Sequence, residues 1–201
     1  MALPDDTYKT IAAPTEELLF KEKKSKFFSI AYPILNEAEV KPLLEALKKK
    51  HHTANHVCYA WQLGIENPRY RANDDGEPNN SAGMPIYGQL LAFDLKNVLV
   101  AVTRIFGGTK LGVGGLIGAY RASAKIALDS AQIVVKTITV PFELSFNYAE
   151  MDAVMRTIKQ KKYPIISQQF EIDCKLSLSI RKSEVAEFHS TIKALPNVSI
   201  K

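Results

Sequence analysis

Residues 139–201, TVPFELSFNYAEMDAVMRTIKQKKYPIISQQFEIDCKLSLSIRKSEVAEFHSTIKALPNVSIK, read as one series of alternating elements. TVPFELSFNY (139–148) has the two-residue alternation of a strand, and AEMDAVMRTIKQKK (149–162) spaces its apolar residues as a helix does. YPIISQQFEI (163–172) and CKLSLSIRK (174–182) read as two further strands. SEVAEFHSTIKAL (183–195) reads as a second helix, and NVSIK (197–201) as a short last strand. The order is βαββαβ. It predicts a ferredoxin-like split βαβ motif, with two helices on one face of an antiparallel sheet.

Upstream the pattern differs. NVLVAVTRIF (97–106) is apolar on both faces, as in a central strand covered on two sides. HVCYAWQLG (56–64) alternates, with Val57, Tyr59, Trp61 and Leu63 on one side and His56, Cys58, Ala60 and Gln62 on the other. TEELLF (15–20) and KFFSIAYPI (26–34) read as strands joined at a lysine-bearing turn. Asn36 is placed to cap a helix over 37–50. Two more helices are expected over 85–93, opened by Pro85, and over 114–131. Residues 65–83 read as a polar loop. The two patterns meet near 133–138, so the expected division is one domain over 1–135 and a ferredoxin-like domain over 136–201. The fold class is α+β.

The chain has 201 residues, 46% hydrophobic and 23% charged, with a net charge of +5. That suits a globular protein able to bury its own core. The mild basic excess is compatible with an acidic partner such as RNA, but no intense basic arm exists. Two cysteines far apart, Cys58 and Cys174, exclude a CxxC zinc motif and fit a reducing compartment. The first residues lack the apolar segment of a signal peptide, and no apolar run approaches membrane-spanning length. The expected address is the cytoplasm.

All ten glycines lie between Gly64 and Gly118, and six fall in RIFGGTKLGVGGLIGAY (104–120). The spacing meets neither nucleotide fingerprint. Ile117 occupies the third glycine position of GxGxxG, and Val113 occupies the lysine position of a Walker loop. What remains is a glycine turn feeding a helix start, with free backbone N–H groups and the positive end of a helix dipole. Arg104, Gly107, Gly108, Lys110, Gly112, Gly114 and Gly115 are therefore candidates for contact with an anion or a partner. The alternative is a tight connection whose glycines permit close packing.

NDDGEPNNSAG (73–83) holds three carboxylates around a glycine: Asp74, Asp75, Gly76 and Glu77. Clustered carboxylates can bind a hard cation or act as acid and base. The same composition also makes an ordinary solvated turn, and Asp74 or Asp75 can pair with Arg71, Arg104 or Lys110. His52 and His56 have helical spacing, but the helix is expected to end near Lys50, so the spacing carries no metal geometry. His56 and Cys58 share one face of a strand and read as packing or hydrogen-bonding residues. His189 reads as surface. No cofactor, metal set or catalytic residue is expected.

Taken together, DDGEPNNSAGMPIYGQL and VTRIFGGTKLGVGGLIGAY, with ANHVCYAWQLG and KEKKSKF before them, resemble the IMPACT (YigZ-like) family in its bacterial form without an RWD domain. The chain departs from the family pattern at Asn79–Asn80, Ile105 and Arg121–Ala122. The resemblance implies an N-terminal left-handed βαβ domain, like elongation factor G domain IV and the GHMP kinases, and a ferredoxin-like C-terminal domain. It also implies an association with translation control, known from the eukaryotic members. The expected function is a non-catalytic binding protein that contacts the ribosome, RNA or a translation factor. The alternatives are an enzyme acting on a phosphorylated or carboxylated small molecule, and two loops that only lock the fold. The enzyme reading requires residues 74–78 and 107–115 to share a concave pocket.

Overall fold

The structure, a computed structural model, describes residues 6–201. In chain order the elements are β1 (Thr7–Ile11), β2 (Leu18–Glu22), β3 (Ser25–Pro33), α1 (Val40–Lys50), β4 (His56–Leu63), β5 (Arg69–Asn73), α2 (Gly83–Ala92), β6 (Val98–Ile105), α3 (Gly112–Asp129), β7 (Ile133–Thr137), β8 (Thr139–Asn147), α4 (Met151–Lys161), β9 (Ile165–Gln169), β10 (Asp173–Arg181), α5 (Val185–Lys193) and β11 (Val198–Ile200). They form two compact units. One is Tyr8–Lys136; the other is Thr137–Lys201 joined by Asp6 and Thr7.

In the first unit five strands make an antiparallel sheet in the order β2-β3-β6-β4-β5. β6 lies at the centre because both its faces are covered. Val98, Val100 and Val102 meet α2 and α3, while Leu99 and Ala101 belong to the clusters under α1. The alternation read in β4 sorts in the same way. Cys58 and Ala60 enter the α2/α3 core, and Val57, Trp61 and Leu63 enter the α1 side. α1 starts from a short 3-10 turn at Glu37–Glu39, where the Glu39 carboxylate accepts the Asn36 backbone N–H at 3.2 Å.

Three strands are not legible in the sequence. β5 lies inside the stretch that reads as a polar loop. It is an edge strand paired only with β4, and Arg69, Tyr70 and Arg71 are exposed, so it carries no apolar alternation. β1 and β7 form a separate two-stranded ribbon, and β7 occupies the segment that reads as a domain junction.

The second unit has the sheet order β11-β8-β10-β9, all pairs antiparallel. With the βαββαβ chain order this is the ferredoxin-like arrangement. Cys174, Leu176, Leu178 and Ile180 alternate along β10 and pack with Val154 and Ile158 of α4 and Phe188 and Ile192 of α5. His189 is half-buried, not free on the surface. Its ring stands edge-on to Phe142 at 5.2 Å, because α5 lies across the sheet there.

Asp6 belongs to this unit. Its carboxylate accepts from Arg181 Nη2 at 2.9 Å and from Ser183 Oγ. The Arg181 hydrogen bonds, joined by that from Ser183, hold its pKa far below the usual carboxylate range. A depressed folded pKa contributes stability above the unfolded value, near 3.9, which is lost as pH falls below it. Wild type is therefore expected to lose stability below about pH 4 more steeply than Asp6→Asn, in denaturant unfolding followed against pH. Parallel curves for the two proteins would refute this.

A cavity between the acidic loop and the glycine segment

The acidic loop is a tight turn built over the start of β4. Asp75 and Gly76 both take left-handed conformations, with φ of 43° and 92°. The Glu77 N–H returns to the Asp74 carbonyl at 2.9 Å, and Asn73 Oδ1 accepts the Asp75 N–H at 2.8 Å. The paired side chains of β4 hold the turn from beneath. Cys58 donates its S–H to the Asp74 carbonyl at 3.0 Å, and His56 Nδ1 lies 2.7 Å from the Asp75 carbonyl. A carbonyl only accepts, so Nδ1 carries a proton.

Each carboxylate of the loop holds groups of the protein itself. Asp74 accepts three backbone N–H groups, from Asn80 at 2.9 Å, Ala82 at 2.9 Å and Gly83 at 2.8 Å, and so caps the start of α2. Asp75 accepts the Val57 N–H at 2.7 Å and lies 3.3 Å from Lys48 Nζ. Glu77 turns inward. Its Oε1 takes Arg104 Nη1 at 2.6 Å and the Tyr120 hydroxyl at 2.8 Å, and both Glu77 and Arg104 are more than nine-tenths buried. The sequence offers Arg104 to Asp74 or Asp75. The turn at Asp75–Gly76 instead swings Glu77 towards β6.

Asp74→Ala is expected to destabilise the protein by about 2 kcal/mol, at the high end for a helix cap, since three donors lose their acceptor. Thermal unfolding of the purified variant measures it. A change within experimental error would show that water replaces the carboxylate fully.

Arg104 and Tyr120 anchor the other side. The Arg104 guanidinium carbon lies 5.6 Å from the ring centres of both Phe27 and Phe106. Its Nε has no hydrogen-bond partner among the described residues. Tyr120 is fully buried against Phe27 and Cys58, and burial pushes its phenol pKa up. Burial likewise raises the Cys58 thiol well above its ordinary value. Neither group is a ready nucleophile at neutral pH.

The glycine segment divides into two kinds of position. Gly107 packs: a Cβ there would lie 2.1 Å from the Lys24 carbonyl carbon, and its N–H donates to Ser25 Oγ at 3.2 Å. Gly115 faces the Leu111 side chain, which would lie 3.0 Å from an added Cβ. At Gly108, Gly112 and Gly114 an added Cβ would meet nothing within 4 Å. Close packing therefore applies at Gly107 and Gly115, while Gly108, Gly112 and Gly114 border open space.

The two loops meet at a cavity of about 380 Å³ lined by Glu77 and Pro78 from one and by Lys110, Leu111, Gly112 and Val113 from the other. Asn55, His56, Arg104, Phe106 and Leu116 complete it. Asp74, Asp75 and Gly76 lie outside its lining; their work is in the turn. Asn55, Phe106 and Tyr120 are not singled out by the sequence. An aromatic between Arg104 and the first glycine is the available signal for Phe106. Among the described residues, no group of three or more His, Cys, Asp or Glu is placed to hold a metal ion, and no helix is long and apolar enough to cross a membrane.

The model of the Impact N-terminal domain family matches residues 23–128, a span that contains both loops and every residue lining the cavity. The IMPACT family member YvyE of Bacillus subtilis (strain 168) is 29% identical over 175 residues, which cover 87% of this chain and 81% of its own. The IMPACT family member YigZ of Escherichia coli (strain K12) is 28% identical over 172 residues, 85% of this chain and 84% of its own. A solved crystal structure of a hypothetical protein superposes with a TM-score of 0.72 at 25% identity, over 97% of this chain and 96% of that one. The chain belongs to the IMPACT family, and the cavity between its two motif loops lies in the domain that defines that family.

Proposed function

We propose that the protein is a non-catalytic binding protein associated with translation regulation, contacting the ribosome, RNA or a translation factor in the cytoplasm. Family membership supports the association with translation, which is the family's known setting in eukaryotes. One observation carries the mode of action: the carboxylates of the acidic loop already hold the protein's own groups, while exposed basic groups remain beside the cavity. Glu77 is held by Arg104 and Tyr120, Asp74 by α2 and Asp75 by Val57 and Lys48. Lys110 and the start of α3, which has no side-chain cap, are left to an outside anion. Such a site is suited to binding, since the carboxylate that lines it, Glu77, is engaged by Arg104 and Tyr120.

The enzyme alternative has one observation in its favour. Glu77 and the glycine segment do share a cavity. Against it stands the occupancy of Glu77 Oε1 by two donors, which commits that oxygen to holding Arg104 and Tyr120 in place.

Co-sedimentation of the full chain with ribosomes from a lysate, at about 50 and about 300 mM salt, tests the proposal. Wild type is expected to sediment with ribosomes at low salt and to be released as salt rises. Lys24→Glu/Lys110→Glu is expected to remain in the supernatant. Absence of sedimentation at both salt concentrations, or equal sedimentation of wild type and variant, would overturn it.

A further inference from the structure

The cavity has a chemical polarity that says more about its occupant. Its walls are apolar: Pro78, Phe106, Leu111, Val113 and Leu116. Phe106 and Val113 are 44% and 53% exposed. Arg104, His56 and Asn55 add polar groups to the lining. Beside it lie Lys110 and the uncapped start of an 18-residue helix. Lys23 and Lys24, both exposed, sit on the turn whose backbone lies against Gly107.

An apolar slot with an aromatic wall, bordered by Lys110 and a helix N-terminus, matches a planar ring bearing an adjoining anion. From this geometry, and resting on the binding reading above, we infer that the cavity receives one nucleotide of single-stranded RNA. The base stacks on Phe106, and its phosphate lies at Lys110 and the first turn of α3. The neighbouring phosphate lies at Lys23 and Lys24. Base–aromatic stacking with cationic tracking of the backbone is the general means of holding single strands. Arg104 supports the stack from behind, since its guanidinium lies over the Phe106 ring. The volume, about 380 Å³, is within the roughly 300–1,000 Å³ typical of small-ligand sites. His56 and Arg104 give the lining polar groups that suit the polar edge of a base. A wholly apolar peptide side chain would leave those groups without use.

The test is fluorescence anisotropy of a labelled single-stranded oligoadenylate of about ten nucleotides, titrated with the full chain at low and moderate salt. Wild type is expected to bind. Phe106→Ala is expected to weaken binding about tenfold or more, and Phe106→Leu, which keeps apolar area but not the ring, by a similar factor. Lys110→Ala is expected to weaken binding and lower the salt slope by about one. Thermal midpoints of the variants report that they are folded; if Phe106→Ala unfolds, Phe106→Leu carries the comparison. Equal affinity of wild type and Phe106→Leu overturns the inference. So does ribosome binding without oligonucleotide binding, although that result leaves the function proposed above in place. Absence of both removes both. Competition by free AMP at the same concentration as oligoadenylate overturns the assignment to an RNA chain in favour of a free nucleotide.

Discussion

Glu77→Ala is expected to destabilise the unit formed by residues 8–136 by about 3–5 kcal/mol, the range for breaking a buried ion pair from one side. Arg104 would keep its charge, more than nine-tenths buried, with Ser25 Oγ at 3.5 Å as its one remaining side-chain hydrogen-bond partner among the described residues. The Tyr120 hydroxyl would lose its acceptor in a fully buried site. The large cost would come from the groups left behind, because the net contribution of an intact buried pair is small. A second variant separates the two ideas. Glu77→Leu with Arg104→Met removes both charges and is expected to recover much of the stability lost by Glu77→Ala. Urea unfolding of the three proteins measures the differences. A single-variant loss below about 1 kcal/mol would mean that water reaches the guanidinium and replaces the carboxylate.

Gly107→Ala is the second large effect. The added methyl would sit 2.1 Å from the Lys24 carbonyl carbon, 2.2 Å from its oxygen and 2.4 Å from the Ser25 nitrogen. These are backbone atoms of the turn between β2 and β3, so no side chain can rotate away. The turn has to move, and with it the Gly107 N–H bond to Ser25 Oγ. Overpacking of about 1–3 kcal/mol and one lost hydrogen bond give an expected loss of about 3 kcal/mol. Gly112 provides a control, since its φ is 72° in open space. Alanine there costs about 1–2 kcal/mol of backbone strain and nothing in contact. Gly114 lies inside α3 with space around it and carries no such φ, so Gly114→Ala is expected to stabilise by about 0.5–1 kcal/mol. Thermal unfolding should therefore rank the three as Gly107→Ala, Gly112→Ala, wild type and Gly114→Ala, from least to most stable. An unchanged midpoint for Gly107→Ala would exclude the close approach of the turn.

Elements that bury a face are readable in the sequence, because burial writes a period into the residues. β6 is apolar on both sides in sequence and central in the sheet. The strand and helix alternation from Thr139 onward is sufficient for the order of the second unit. Edge elements escape for the same physical reason. β5 pairs with one neighbour and exposes Arg69 and Arg71, so its sequence looks like a loop. At the site, the sequence shows two unusual loops but not how they connect. Which of three neighbouring carboxylates turns inward depends on two left-handed backbone positions, Asp75 and Gly76. Asp75 does not advertise that conformation. Phe106 is inconspicuous because a single exposed aromatic acquires meaning only from the cavity beside it.

Cys58 has a use for the experimenter that its packing creates. Its thiol is fully buried, hydrogen-bonded to the Asp74 carbonyl, and held protonated by burial. An alkylating reagent needs the thiolate and needs access, and it obtains neither while the turn over β4 is in place. Each modification event at this position therefore requires an opening of the acidic loop. Because no label has to be added near the cavity, the native cysteine acts as a clock for the loop's opening. Slower alkylation in the presence of a ligand would report occupancy from a position that the ligand does not touch.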